Sequence, residues 1–225
     1  FENFTRRTFP NRSGVLNRVR YGGYTEDGVC VIEYTAHQTT FILLLHEGFH
    51  QYLHHCVKSP VPAWLNEGLA VWCEGHRWGA VGLKEFDLNY NPPRLAALQE
   101  AVQRDELFSL RDLLRMNAGH VVGAASRKIA TYYAQVWSMV LFLLEGPNAA
   151  YREAFRSLMA DAGTERLIDA VKGYRVATPA AVGMSMGEIV FRRYITEDLD
   201  AFFAEYTTFA RDLVRGTPKP GGFPW

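Results

Sequence analysis

The segment "FILLLHEGFHQYLHHC", residues 41–56, decides how the rest of the chain is interpreted. A run of five apolar residues leads into His46, Glu47 and His50, which have the spacing H-E-x-x-H. Histidines four residues apart lie on one face of a helix, so their imidazoles can bind the same metal ion. Glu47 is rotated about 100° from His46, where it can reach a water molecule on that metal. The segment therefore predicts a helix that carries two metal ligands and a general base.

Two more histidines, His54 and His55, follow on the same predicted helix. His54 continues the stripe formed by His46 and His50, but it lies about 12 Å from His46 along the axis, at 1.5 Å per residue. Two ligand atoms on one tetrahedral zinc ion are only about 3–3.5 Å apart. We therefore predict that His54 and His55 are end-of-helix residues near the negative end of the helix dipole. A supporting role for His54 behind the ligands is the minor alternative.

A third ligand is available in the next segment, "PAWLNEGLAVW", residues 62–72. It predicts a second helix, which follows a proline-rich turn and carries Glu67 seventeen residues after His50. Two antiparallel helices would bring Glu67 against His46 and His50. Three apolar residues of the second helix would pack the pair together: Leu65, Leu69 and Val71. A solvated Glu67 is the alternative, and its apolar neighbours argue against it.

The two motifs together, HEGFH and then WLNEGLA, resemble the gluzincin metallopeptidases, and the second is similar to the third-ligand helix of the aminopeptidase-N-like branch. This resemblance implies that Glu67 is the third zinc ligand and Glu47 the catalytic base. It implies a thermolysin-like catalytic domain that hydrolyses peptide bonds in a peptide or protein substrate. The interval between His50 and Glu67 is slightly shorter than in that branch. The whole chain most resembles the compact peptidase-like members of the group.

The same branch has a tyrosine on a later helix, in a pattern that resembles Tyr-x-Lys-Gly. Tyr133 begins a similar "YAQV", in which Gln135 replaces the lysine and Val136 the glycine. By this resemblance the hydroxyl of Tyr133 stabilises the oxyanion of the tetrahedral intermediate. Core packing of Tyr133 is the alternative, and Tyr132 and His120 are the other candidates for the oxyanion.

Two features of the branch are missing. No Gly-x-Met-Glu-Asn loop precedes His46, and Glu33 is the only acidic residue with a comparable location. We therefore expect an endopeptidase or a specialised peptidase, not a general aminopeptidase. The acid that would support a ligand four residues after Glu67 is replaced by Val71. Glu74 lies one turn further and could take that role, although a solvated glutamate is the more common outcome.

The composition narrows the class of partner. The formal net charge is zero, so nothing favours nucleic acid, and no apolar run is long enough to span a membrane. Three cysteines are no disulfide framework. A bridge between Cys56 and Cys73 is open, but buried free thiols are the preferred reading. The chain begins with Phe1, so we expect it to derive from a longer precursor. A secreted or periplasmic location is slightly favoured, and the oligomeric state stays open.

The element pattern predicts an α+β fold in one domain, residues 1–225. Residues 1–75 hold a small β region above the H-E-x-x-H helix, and residues 76–225 a mainly helical body. "YGGYTEDGVCVIEYTAH" is interpreted as a turn and then a strand, Thr39 or Thr40 as the cap of the first helix, and 80–91 as a loop. Further helices are predicted near 93–104, 109–116, 126–145, 148–161, 164–172 and 197–214.

The function predicted from these residues is zinc-dependent peptide hydrolysis by a Glu47-activated, metal-bound water. The alternative is a zinc-binding interaction domain that is derived from a peptidase and has lost turnover. An intact Glu47 argues against that alternative, since a site without catalysis needs no base. A purely structural zinc site is disfavoured because such sites are usually closed by four protein ligands.

Overall fold

The computed structural model describes residues 22–116 and 126–216. The strands are β1 (Gly23–Glu26), β2 (Val29–Ile32), β3 (His76–Gly79) and β4 (Gly82–Phe86). The helices are α1 (His37–Cys56), α2 (Ala63–Cys73), α3 (Pro92–Gln103), α4 (Leu110–Arg115), α5 (Ser126–Glu145), α6 (Ala149–Ala162), α7 (Arg166–Ala177), α8 (Met186–Tyr194) and α9 (Leu199–Val214), with a 3₁₀ turn at Pro179–Ala181. The described part is thus α+β and mostly helical.

Strands β1 and β2 form an antiparallel hairpin that packs on α1. The prediction of a turn followed by one strand is therefore wrong in its first half. Asp27 and Gly28 form the two-residue turn, and both have positive φ, 48° and 72°. Such φ values match a type I′ turn, whose twist suits a hairpin. The carbonyl of Gly28 accepts a hydrogen bond from the Gln51 side chain of α1 at 2.8 Å, which attaches the turn to the helix.

A second hairpin, β3 and β4, lies in and before the predicted loop 80–91. That prediction is wrong for Gly82–Phe86, which pairs with His76–Gly79. Most of β4 is exposed, so its residues lack the inside–outside alternation that marks a half-buried strand.

Helix α5 is the centre of the helical body, where it packs against α2, α3, α6 and α9. The closest approach between α2 and α5 is at Gly68. A Cβ at this position would lie 2.7 Å from Cγ2 of Val140 and 2.8 Å from the carbonyl oxygen of Val136. Val71, one turn on, packs against Trp137 and Leu141 of α5. Helix α2 also packs against α1.

All the predicted helices are present and differ from prediction only at their ends. Helix α1 begins at His37 after Ala36, so neither Thr39 nor Thr40 caps it. Helix α7 runs on to Ala177, and α8 was not predicted. The three cysteines are free, but Cys56 is exposed, contrary to the prediction of buried thiols. None of the helices in the described ranges is long and apolar enough to cross a membrane.

Candidate metal centre

Helices α1 and α2 bring together the three predicted ligands. Nε2 of His46 lies 3.2 Å from Nε2 of His50, and Oε2 of Glu67 lies 3.4 Å and 3.6 Å from these two atoms. Ligand atoms about 2.0–2.1 Å from one ion in tetrahedral geometry are separated by roughly 3.3 Å. The cluster formed by His46, His50 and Glu67 can therefore hold a metal ion.

Each histidine is oriented by a hydrogen bond from the ring nitrogen that faces away from the cluster. Nδ1 of His50 donates to Oδ1 of Asn66 at 2.8 Å, and Nδ1 of His46 donates to Oε1 of Glu74 at 2.8 Å. A proton on Nδ1 leaves the lone pair of Nε2 available for an ion, as in most histidine metal sites. Asn66 precedes Glu67 on α2, so one helix supplies both a ligand and a support.

Glu74 is buried, with 6% of its surface exposed, so the expectation of a solvated glutamate is wrong. Glu74 follows the last residue of α2. It supports the ligand His46 by a hydrogen bond, which the apolar Val71 cannot do. Besides His46, it accepts hydrogen bonds from Nδ2 of Asn91 and from the guanidinium of Arg94. Asn91 and Arg94 lie at the start of α3, and neither was predicted to belong to the site.

The electrostatics of the cluster favour a bound cation. Burial opposes charge on His46, but Glu67 and Glu74 outweigh it and raise the pKa of His46 to about 10. Burial alone would raise the pKa of Glu67, but His46 and His50 lower it to about 2. Burial would raise that of Glu74 too, yet His46 and Arg94 lower it to about 2. The site thus holds the ionised carboxylates of Glu67 and Glu74 around a His46 imidazole that keeps an extra proton when no metal competes for it.

Two observations test whether a divalent ion fits. Oε2 of Glu67 is buried and has no hydrogen bond of good geometry among the described residues, although two Nε2 atoms face it. Once a metal displaces the proton that His46 carries in its absence, three lone-pair donors face one another, and a cation offsets their repulsion. The carboxylates of Glu47, Glu67 and Glu74 carry a formal charge of −3 and Arg94 carries +1, so a divalent ion would make the group neutral. The residues present fit a divalent metal.

The predicted base, Glu47, is held by strand β1. The hydroxyl of Thr25 lies 2.9 Å from Oε2 of Glu47 and 2.8 Å from its backbone carbonyl, and its single proton is shared between these two oxygens. Gly23 gives the carboxylate room, because a Cβ there would lie 2.9 Å from Cγ of Glu47. Burial raises the pKa of Glu47, while His46, His50 and the Thr25 hydrogen bond oppose the rise. Thr25 was not predicted as part of the site.

Tyr133 borders the metal cluster, and Tyr132 is fully buried. The Tyr133 ring meets the His46 ring edge to face at 6.0 Å. Burial and the charge of Glu67 raise the pKa of both tyrosines. The hydroxyl of Tyr132 is buried and has no hydrogen-bond partner among the described residues. Either phenol remains a candidate oxyanion donor, and His120 lies outside the described residues.

A cleft of about 430 Å³ opens beside the ligands His50 and Glu67. Its walls come from the β1–β2 turn, the end of α1 and the loop before α2. His54 lines this cleft and does not join the ligand cluster, as predicted. His55 instead faces the carbonyl of Gly28, 3.2 Å from Nε2. Glu33 accepts a hydrogen bond from the backbone N–H of Gly22 at the open end of the hairpin.

Comparison with known proteins places this site in a family. Residues 40–167 match the family model described as "Protein of unknown function (DUF1570)". That stretch is more than half of the 225 residues. The chain belongs to the DUF1570 family. The DUF1570 stretch contains the whole ligand cluster, Glu47, Arg94 and both tyrosines, whereas Thr25 lies before it. No curated protein and no solved structure gave a significant match.

Proposed function

We propose that this DUF1570 protein is a zinc-dependent peptidase of the gluzincin type. The observation that carries the proposal is the position of Glu47: a buried carboxylate, next in sequence to a ligand, that is held by β1 and does not belong to the ligand cluster. A site that only stored zinc would not need a carboxylate in this position, because Glu47 adds buried charge near the ion without forming a bond to it.

Zinc is the metal that best suits the donor set. Two imidazoles and one carboxylate, with one coordination position left for water or substrate, are typical of catalytic zinc sites in peptidases. A bound zinc ion would lower the pKa of a water molecule to about 7 and polarise the carbonyl of the scissile bond. The resemblance of HEGFH and WLNEGLA to the gluzincin motifs supports the same assignment.

The protein residues would supply the remaining chemistry. Glu47 would take a proton from the attacking water and deliver it to the leaving amine. The Thr25 hydroxyl would keep the carboxylate aimed at that water. The phenol of Tyr133 would donate a hydrogen bond to the oxyanion. The cleft beside His50 would take part of an extended polypeptide.

The test compares Glu47→Gln with Glu33→Gln on peptides whose amino termini are acetylated or free. Glu47→Gln keeps the size of the side chain and cannot accept the proton, so cleavage should fall by about 10²–10⁴-fold at equal zinc content. On the acetylated peptides, which have no free amine for Glu33 to bind, Glu33→Gln is the matched control, because Glu33 lies at the hairpin end outside the ligand cluster. Cleavage of the acetylated peptides by the wild type would support an endopeptidase.

The proposal fails if Glu47→Gln cleaves as fast as the wild type with the same zinc content. If the wild type binds zinc tightly but cleaves none of a broad set of peptides, the domain is a zinc-binding module. Strict dependence on a free amino terminus would instead show an aminopeptidase, and Glu33→Gln should then reduce activity.

A further inference from the structure

Arg94 contacts Glu74, the residue behind the ligand His46, through two hydrogen bonds. Its Nη2 lies 2.9 Å from Oε1 of Glu74 and its Nε lies 3.2 Å from Oε2, so the two groups form a two-point ion pair. Oε1 also accepts from His46, and Oε2 also accepts from Asn91. Four donors therefore fix both oxygens of a carboxylate that is 6% exposed.

The same guanidinium reaches the predicted oxyanion donor. Cζ of Arg94 lies 5.1 Å from the centre of the Tyr133 ring, within the range of a cation–π contact. Tyr133 in turn meets the ring of His46. Four side chains from four parts of the chain thus make a closed cycle: Arg94, Glu74, His46 and Tyr133.

We infer that Arg94 is a positioning residue that holds the ligand His46 and the phenol of Tyr133 in a fixed mutual arrangement. It acts on His46 through Glu74, since a carboxylate pinned at two points can accept the Nδ1 proton in only one direction. It acts on Tyr133 by direct contact with the ring. The part of this inference that concerns Tyr133 rests on the proposed function, whereas the part that concerns the metal does not.

An arginine is needed at this position for two reasons. A planar guanidinium matches the two oxygens of a carboxylate, while a lysine ammonium is a point charge that binds one at a time. The guanidinium can also lie over an aromatic ring while it keeps its hydrogen bonds in plane. Without Arg94, the buried Glu74 carboxylate would keep only His46 and Asn91 as hydrogen-bond partners among the described residues. The carboxylate could then rotate, and its direction toward His46 would no longer be fixed.

The experiment measures zinc affinity by competition with a chelator of known affinity, and peptide cleavage at saturating zinc. The variants are Arg94→Met, Arg94→Lys and the control Arg77→Met. Arg77 has similar chemistry elsewhere: its Nε and Nη2 both contact Oδ2 of Asp87, and its Cζ lies 4.0 Å from the centre of the Tyr90 ring. It belongs to β3, outside the ligand cluster.

Loss of a partner behind a metal ligand typically weakens metal binding by about 10–100-fold. Arg94→Met should show a loss of this size and Arg94→Lys an intermediate loss, while Arg77→Met should stay within about twofold of the wild type. In a Glu74→Gln background, Arg94→Met should weaken zinc binding by less than about threefold, because the connection to His46 is already changed. At saturating zinc, Arg94→Met should lower kcat and leave KM unchanged.

Equal zinc affinity in Arg94→Met and the wild type would overturn the inference, whatever the activity. An equal loss in Arg77→Met would overturn it too, since the effect would then be general destabilisation. If Arg94→Met does not fold, Arg94→Lys decides: wild-type zinc affinity and kcat in that variant would refute the need for a two-point contact. A wild type that binds zinc but cleaves no peptide would refute the proposed function and leave the effect on zinc affinity to be judged separately.

Discussion

The close packing of α2 against α5 predicts that replacing Gly68 by alanine destabilises the protein. Gly68 follows the ligand Glu67, and a Cβ at position 68 would lie 2.8 Å from the carbonyl oxygen of Val136. A backbone oxygen inside a helix cannot rotate away as a side chain can, so Gly68→Ala must push the two helices apart. Overpacking of this kind costs about 1–3 kcal/mol, against about 0.5–1 kcal/mol gained when alanine replaces a helical glycine. We expect a net loss of about 1–2 kcal/mol in the free energy of unfolding.

Gly173→Ala is the matched control. Gly173 lies in α7, and a Cβ there would meet nothing within 4 Å. In a protein of this size 1 kcal/mol shifts Tm by about 2–4 °C, so Gly68→Ala should lower Tm by about 2–8 °C and Gly173→Ala should raise it slightly. Thermal unfolding by circular dichroism measures both. Gly68→Ala should also weaken zinc binding, because α2 carries Glu67. A Tm at or above that of the wild type would show that the contact with α5 does not require glycine.

Three further predictions concern the site. Zinc at about 100 times its Kd should stabilise the wild type by about 2.7 kcal/mol, which raises Tm by roughly 5–11 °C. His50→Ala should lose this shift in Tm, and His54→Ala should keep it. A shift retained in His50→Ala would rule out the ligand set. Thr25→Val should lower turnover by about 10–150-fold with unchanged zinc affinity, because a hydrogen bond to a carboxylate contributes about 1.5–3 kcal/mol. Thr25→Ser should stay within about threefold, and equal rates in all three proteins would refute the positioning of Glu47 by Thr25. Tyr133→Phe should lower kcat by about 10²–10³-fold if its hydroxyl is the oxyanion donor, and an effect seen only in Tyr132→Phe would transfer that role.

The ligand cluster was predictable because its geometry follows from local rules. A helix fixes the distance and direction between His46 and His50. The short proline-rich turn that follows makes the next helix pack antiparallel beside the first. Apolar neighbours of Glu67 then indicate which side of that helix faces inward. These are short-range constraints, and the structure brings the three residues together as they require.

The supports behind the ligands were not predictable because they depend on tertiary packing. Glu74 comes after the end of α2, where periodicity no longer indicates a buried face. Its burial depends on Arg94 and Asn91, seventeen or more residues later, at the start of a helix whose position only the fold determines. Asn66 could have been predicted as part of the site, since it precedes the ligand Glu67 in the segment WLNEGLA.

The hairpin that holds Glu47 was missed for a different reason. Asp27-Gly28 is a strong signal for a type I′ hairpin when residues that favour strands lie on both sides, here Tyr24 and Thr25 before it and Val29–Ile32 after it. It was interpreted as a simple turn. With β1 recognised, the strand alternation would place Gly23 and Thr25 on one face. That face is the one that contacts Glu47.

The hydrogen bonds that hold the ligand histidines and those that hold the base Glu47 come from different parts of the chain. Asn66 of α2 holds the ligand His50, and Glu74, at the end of α2, holds the ligand His46. Glu74 is itself held by Arg94 of α3. The side chain of Glu47 is held by Thr25 of the β1–β2 hairpin. Substitutions on these two supports should therefore have opposite signatures. Thr25→Val should reduce turnover and spare zinc affinity, whereas Arg94→Met should reduce zinc affinity first. If both variants lost zinc and turnover in the same proportion, the hairpin and the helices would form one cooperative unit, and Glu47 could not be perturbed independently of the ligands.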